Sequence, residues 1–450
     1  MVFNNKQKLL AMKTKLVAFF FTLGCCISSA QTVTDYMTLT GTVLDQASKE
    51  PLPFTGIGIT HSNIGTSANE SGNFSVRIPV SLRNEKLRFV FLGYEEKEID
   101  IKEAVSPLVV LLISKPVQLS EVVVSPLAPT EYLRQAVANI AANYNEDAYY
   151  STLYIAERGT ENGIYHLNNE ALAKVYHPGN KTDKKDSLQI SIINARSAGD
   201  VRPMQFLKRK VEKRKEKEIK RAAKKGEAFD DDAYDIGPVT MSVSPYEILN
   251  ELSISAKEIP HFMQEKNFSK YDYKLIEGTI YQGREMLVIR FEQKMSVKDM
   301  LMDGDIYLDA ESYAVVALKA GFSKAAQKQT MNGMLKAALF LMGYKLEFPK
   351  TRFQSFYKWY EGRWYFSHAQ YYLDVYIEKR KMFKENEKAR VKLSNELAVI
   401  DFSLVPIATP FNKENVLGTK QKIKTFNKFY NPDIWKNYNV ITPKDLTPVN

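Results

Sequence analysis

The chain has 450 residues, 44% of them hydrophobic and 25% charged, with a formal net charge of +10. That length allows two or three domains and a substantial core. Four lysines (Lys6, Lys8, Lys13, Lys15) sit near the N-terminus, and much of the remaining positive excess falls in one later run, so the charge does not indicate general nucleic-acid binding.

Lys13 and Lys15 precede an apolar stretch of about eight residues, Leu16 to Leu23, followed by Ser28-Ser-Ala30. This order predicts a secretory signal peptide over residues 1–30, cleaved between Ala30 and Gln31. The apolar core is too short to span a bilayer as a helix. Met12 offers an alternative start. Both cysteines, Cys25 and Cys26, lie inside the leader. Lipidation there is the weaker alternative: Gly24 precedes Cys25, but Thr22 is an unusual residue three before it. A mature chain without cysteine has no disulfides and no thiol nucleophile.

Residues 37–125 read as a small β-sandwich. Leu39, Gly41 and Val43 alternate onto one side of a strand. Turn formers crowd the segment from Asp45 to Pro53, and Ile57 and Ile59 mark a second strand. Asn69-Glu-Ser-Gly72 predicts a tight turn, after which Phe74, Val76 and Ile78 alternate again. Leu87, Phe89 and Phe91 form the next strand, broken at Gly93. Val109 to Ile113 is apolar throughout, which predicts a strand covered on both faces. Many short strands with regular turns favour a sandwich over a parallel sheet.

The same stretch carries a family resemblance. In order it holds Gly41-Thr-Val-Leu-Asp45, Pro51-Leu-Pro-Phe54, Glu70-Ser-Gly-Asn-Phe74, Leu92-Gly-Tyr94 and Leu119-Ser-Glu-Val-Val-Val124. This series resembles the carboxypeptidase-regulatory-like domain, a transthyretin-like, Ig-like sandwich found at the N-termini of Gram-negative envelope proteins. The resemblance implies an accessory module, not the peptidase itself. In the family it precedes TonB-dependent receptors and other outer-membrane proteins. Here a helix-like stretch follows in place of a receptor plug.

A linker with a helix is expected over 126–147. Thr130 is read as its N-cap, and Tyr132, Leu133, Ala136, Val137, Ile140 and Ala141 fall at helical spacing. From Tyr149 the period changes to two. Strands are predicted around Tyr150–Ala156, Ile164–Leu167 and Leu188–Ile192, and three hairpins follow. The first spans Tyr271–Gln293 with a turn at Gln282-Gly283. The second spans Gly304–Leu318. The third runs from Phe353 to Tyr376 around Glu361-Gly-Arg363. Helical insertions are expected at about 204–226 and 324–344, with shorter helices at Pro245–Ile254 and Ile259–Lys266. In the 324–344 insertion Met331, Met334, Leu335, Ala338 and Met342 share a face. The expected fold class is mainly β: an Ig-like sandwich, then a larger curved antiparallel domain over 148–404, then a C-terminal tail over 405–450. The pattern of the second domain resembles the half-barrel of periplasmic lipoprotein carriers, which implies a lipid or apolar ligand.

Catalytic signals are lacking. The histidines His61, His166, His177, His261 and His368 belong to no zinc-peptidase spacing. There is no nucleophile elbow and no phosphate-binding glycine loop. Asp230-Asp-Asp232 with Asp235 lacks the spacing of a calcium loop. Lys208–Lys225 reads as an exposed basic helix, with contact to anionic lipid heads as the functional alternative. Trp359 and Trp364, with Tyr357, Tyr360 and Tyr365, cluster at one turn; they are the candidate ligand contacts, weighed against ordinary sheet packing. No cofactor, metal or catalytic residue is predicted. The sequence reads as a secreted, non-enzymatic envelope protein, periplasmic or outer-membrane associated, that binds a lipid, glycan, apolar ligand or envelope partner and no nucleic acid. The rival readings are an outer-membrane β-barrel and a hydrolase with dispersed acidic residues.

Overall fold

The computed structural model describes residues 35–115, 127–179, 188–197, 201–202, 204–206, 208–226, 243–252, 254, 259–299, 301–329, 343–380, 385–404, 411, 416–418, 423, 430–435 and 438–439. The signal segment with Ala30 and Gln31, the Met331–Met342 stripe and the Asp230–Asp235 run lie outside these residues.

The first unit is a seven-stranded sandwich. Strands β1 (Tyr36–Asp45), β4 (Asn73–Pro79) and β7 (Leu108–Leu112) form one sheet in the order β4-β1-β7. Strands β2 (Gly56–Ile59), β3 (Gly65–Ser67), β5 (Lys86–Val90) and β6 (Lys97–Asp100) form the other, in the order β3-β2-β5-β6. The predicted alternation is realised: Leu39, Val43, Ile57, Ile59, Phe74, Val76, Ile78, Leu87 and Phe89 are buried in one core between the sheets. Gly72 takes φ +74° in the turn before β4, and a Cβ there would lie 2.5 Å from the Val43 carbonyl oxygen, so glycine is required. One expectation fails. β7 is an edge strand covered on one side only, so Val110 and Leu112 are buried while Val109 and Ile113 stay 66% and 47% exposed.

The linker helix α1 spans Pro129–Ala138, and a short helix α2 spans Ile140–Asn143. The cap is not Thr130: Ala128 occupies the N-cap and Pro129 opens the helix, where its missing N–H costs no hydrogen bond. Tyr132, Leu133, Ala136 and Ile140 face the second unit and are buried against it.

That second unit is built on ten antiparallel strands: β8 (Tyr149–Glu161), β9 (Ile164–His177), β10 (Gln189–Ser197), β11 (Tyr271–Tyr281), β12 (Arg284–Gln293), β13 (Met302–Asp309), β14 (Val315–Phe322), β15 (Tyr344–Tyr360), β16 (Arg363–Lys379) and β17 (Glu387–Ser403). Their order is β10-β9-β8-β17-β16-β15-β14-β13-β12-β11. The predicted hairpins are all present. The Gln282-Gly283 turn has both residues at positive φ, as a two-residue hairpin of this twist needs. The Phe353 arm is longer than predicted and begins at Tyr344. Helix α3 (Lys208–Lys225) and helix α4 (Pro245–Leu252) form as expected, and helix α5 (Lys324–Gln329) is the described part of the 324–344 insertion. The segment from Ile259 to Lys266 is not one helix but two 3-10 turns, His261–Met263 and Glu265–Lys270, because Pro260 and the extended Gln264 interrupt it. Strand β17 had no turn signal of its own, yet it lies inside the sheet, pairing with both β16 and β8.

The two faces of the sheet differ. Side chains alternate across each strand. The inner face joins Leu153, Ile155, Leu287, Ile289, Phe291, Phe353 and Leu397 into the main core with α1, α4 and the first 3-10 turn. The outer face carries polar residues at matched register. One row runs Arg196, Glu170, Ala156, Glu396, Gln370, Gln354, Lys319, Asp305, Arg290, Lys274 across all ten strands. At the β10-β9-β8 end this row is covered. A short helix α6 (Pro432–Trp435) lays Trp435 on Tyr154, Ala156 and Leu172, with the indole N–H donating to Asn194 Oδ1 at 2.7 Å. The sandwich sits on the same face. Phe54 stacks on His368 at 5.3 Å, and Asn439 takes the Arg77 N–H at 2.6 Å while donating to the Gly65 carbonyl at 3.3 Å.

A cavity at the seam between sandwich and sheet

Where the sandwich meets the ends of the hairpins there is a cavity of about 180 Å³. Both units line it. The sandwich contributes Gly56 to Ser62, Ile64 to Thr66, Arg88 and Val90; the sheet contributes Tyr281, Gln282, Lys358 to Tyr360, Ser367 and Val399. A cavity of roughly 150 Å³ accommodates a benzene ring, so this one has room for a small head group or ring.

Three features give the cavity its chemistry. The first is a glycine floor. Gly58 has no heavy atom within 4 Å of where a Cβ would stand, and at Gly56 the nearest is the Val90 carbonyl oxygen at 3.6 Å, so the strand backbone is bare here. The second is Trp359 at the end of β15. It is 37% exposed and held from two sides, by the edge of Trp364 at 5.3 Å and by the Arg284 guanidinium at 4.9 Å. Gln282 fixes the backbone beneath it, taking the Trp359 N–H at 2.9 Å and donating to the Tyr357 carbonyl at 3.1 Å. Arg284 is itself anchored to Asp309 at 2.7 Å.

The third feature is Lys358. Its ammonium lies 4.0 Å over the Phe402 ring and donates to the Asn63 carbonyl at 3.3 Å, while the Asn63 amide donates to the Phe402 carbonyl. The pair clasps the turn between β2 and β3 onto the sheet. Burial pushes the Lys358 amine down to about 7, opposed by the charge of Asp401. Burial likewise raises the Asp401 carboxyl, opposed by Lys358. Desolvation therefore outweighs attraction between these two groups. Arg88 lines the cavity but is already engaged, at 3.2 Å from Glu98 and 3.4 Å from Glu96.

The aromatic cluster predicted as a ligand contact thus divides. Trp359 faces the cavity. Trp364 is fully buried, because the strand alternation and the neighbouring Tyr281 ring, stacked at 6.4 Å, draw it into the core. Its ring packs edge-on against Trp359 from the core side. The histidines stay apart, and no three metal-ligating side chains come together among the described residues. No helix among them is long and apolar enough to cross a membrane. Lys358, Asn63 and Gly58 were not foreseeable as neighbours, since the first lies about 300 positions from the others and no spacing rule links them.

A sandwich followed by an open antiparallel sheet defines a two-unit, mainly β protein. Residues 39–124 match the family model described as the CarboxypepD_reg-like domain. The chain is similar to the solved structure of a LolA superfamily protein from Nitrosomonas europaea, at 11% identity and TM-score 0.21, covering 64% of this chain and 99% of that one. It is similar at 10% identity and TM-score 0.22 to a DUF1329 family protein from Desulfovibrio piger, covering 63% of this chain and 96% of that one. Similarity this low lends no weight to a shared ligand. No curated protein matches the chain.

Proposed function

We propose that this is a non-enzymatic binding protein of the cell envelope, exported by a signal peptide cleaved between Ala30 and Gln31, in which sandwich and sheet together form one ligand site. The observation that carries the reading is the seam cavity: it is walled by both units and is lined by a braced, part-exposed tryptophan and by bare strand backbone. Such a site suits a small amphiphile or the head of a lipid or glycan, because aromatic and backbone surfaces bind the apolar part while few polar groups set orientation.

Delipidated full-length protein should bind octyl glucoside or octyl phosphate with a change in tryptophan emission, and Trp359→Ala should weaken that binding on the order of tenfold. Unchanged binding in this variant would move the site elsewhere, and absence of binding to both amphiphiles would overturn the proposal. Release of the protein from membranes by alkali without detergent is the expected result in fractionation; retention would favour the β-barrel alternative.

A further inference from the structure

Resting on the seam reading, we propose that the cavity is an anion subsite: it takes the phosphate or carboxylate of an amphiphile against the Lys358 ammonium, with the adjoining carbons laid between Trp359 and the Gly56–Gly58 backbone. Two geometric facts carry this. Among the described residues no aspartate or glutamate lines the cavity, whereas Lys358 and Arg88 do; the Glu85 carboxylate, outside that lining, is engaged by Thr60 and His61, each at 2.9 Å. Lys358 is also an underused donor. It has three hydrogens, and its described hydrogen bond is the one to the Asn63 carbonyl. The opposing Asp401 is not within ion-pair distance of it among the described contacts.

A clasp alone does not account for the arrangement. Holding the Asn63 turn uses one donor and the Phe402 ring one face of the ammonium, which leaves further hydrogens of Lys358 for another partner. An anion entering from the cavity would satisfy the remaining hydrogens and restore the charge that burial disfavours, since charge-assisted bonds are the stronger kind. Arg88 is already neutralised by Glu96 and Glu98, so it contributes field more than a direct bond. The glycine floor is consistent with an occupant: Gly58 stands in a β-strand where a branched residue would be favoured, over open space that no side chain fills.

The test compares octyl phosphate, octanoate, octyl glucoside and inorganic phosphate on the full chain, with Lys358→Met and Gly58→Val. Octyl phosphate and octanoate should bind on the order of tenfold more tightly than octyl glucoside, and Lys358→Met should remove that preference. Inorganic phosphate binding as well as octyl phosphate would identify a free anion, not an amphiphile, as the ligand and overturn the amphiphile part of the proposal. Because Lys358→Met also loosens the clasp, Gly58→Val is the second arm: it keeps Lys358, should leave the melting temperature unchanged, and should abolish anion binding by filling the floor. Equal affinity for charged and neutral amphiphiles in wild type would overturn the anion subsite while leaving the seam as a binding site. Loss of all binding in wild type would overturn both.

Discussion

The inner and outer faces of the ten-stranded sheet are made from the same strands, yet they are held by different forces. On the inner face, aliphatic and aromatic side chains meet helices, and stability comes from area withdrawn from water. On the outer face, Glu170 is 2% exposed and receives Tyr154 Oη at 2.6 Å, Arg158 Nη2 at 3.0 Å and Arg196 Nη2 at 2.6 Å. The outer face trades area for directional bonds. Directional bonds fix position, and the sandwich and the Trp435 helix are accordingly seated on that face at defined points. The lesson is that the apolar face makes the sheet fold, and the polar face determines what docks on it.

This contrast can be broken from either side. The largest effect should come from the inner face. Phe291→Ala removes a ring stacked on Phe262 at 4.1 Å and should cost about 4 kcal/mol in chemical denaturation. Glu170→Gln on the outer face keeps the volume but leaves two arginines facing a neutral group, and should cost about 3 kcal/mol by the same measurement.

Acid should act through the inner face. His177 stacks on Tyr149 at 4.4 Å and hydrogen-bonds Ser151 Oγ at 2.8 Å, and burial pushes its imidazole down to about 3. The unfolded chain takes up this proton near 6.5, the native protein only near 3. The contribution is therefore intact above pH 6.5 and is lost as pH falls toward 3, with about 2 kcal/mol gone by pH 5. His177→Gln should flatten that part of the stability–pH curve. The smallest effect belongs to the uncovered end of the polar row. Arg290 and Asp305 pair at 2.8 Å near solvent, and Asp305→Asn should cost no more than about 0.5 kcal/mol. A loss there as large as at Glu170 would show that cover by the docked units is not what gives the buried end its strength.

Much of this architecture was legible in the residues. Period-two alternation located the sandwich strands, and turn pairs such as Gln282-Gly283 located the hairpins, because both are local signals. The exposure of Val109 and Ile113 was not legible: an apolar run reads the same on an edge strand as in a buried one. Strand β17 was missed because Glu387-Lys-Ala-Arg-Val-Lys reads as a charged surface segment, and its interior place depends on β8, more than 200 residues earlier. For the same reason the aromatic turn, with Trp359 and Tyr360, is the part of the cavity lining that the sequence singled out as candidate ligand contacts. Lys358, Asn63 and Gly58 become neighbours only when the sandwich is docked.

The position of β17 also dictates an order of assembly. A chain made from its N-terminus can complete the sandwich once residue 115 has emerged, since all seven of its strands are then present. The ten-stranded sheet must wait. β8 and β16 flank a gap that residues 387–403 fill, so the last of the ten described strands to be made is an interior one, fourth from the β10 edge. Until then two strand edges with free N–H and C=O groups stand open, a period in which the nascent protein is most exposed to wrong pairings and to chaperone capture.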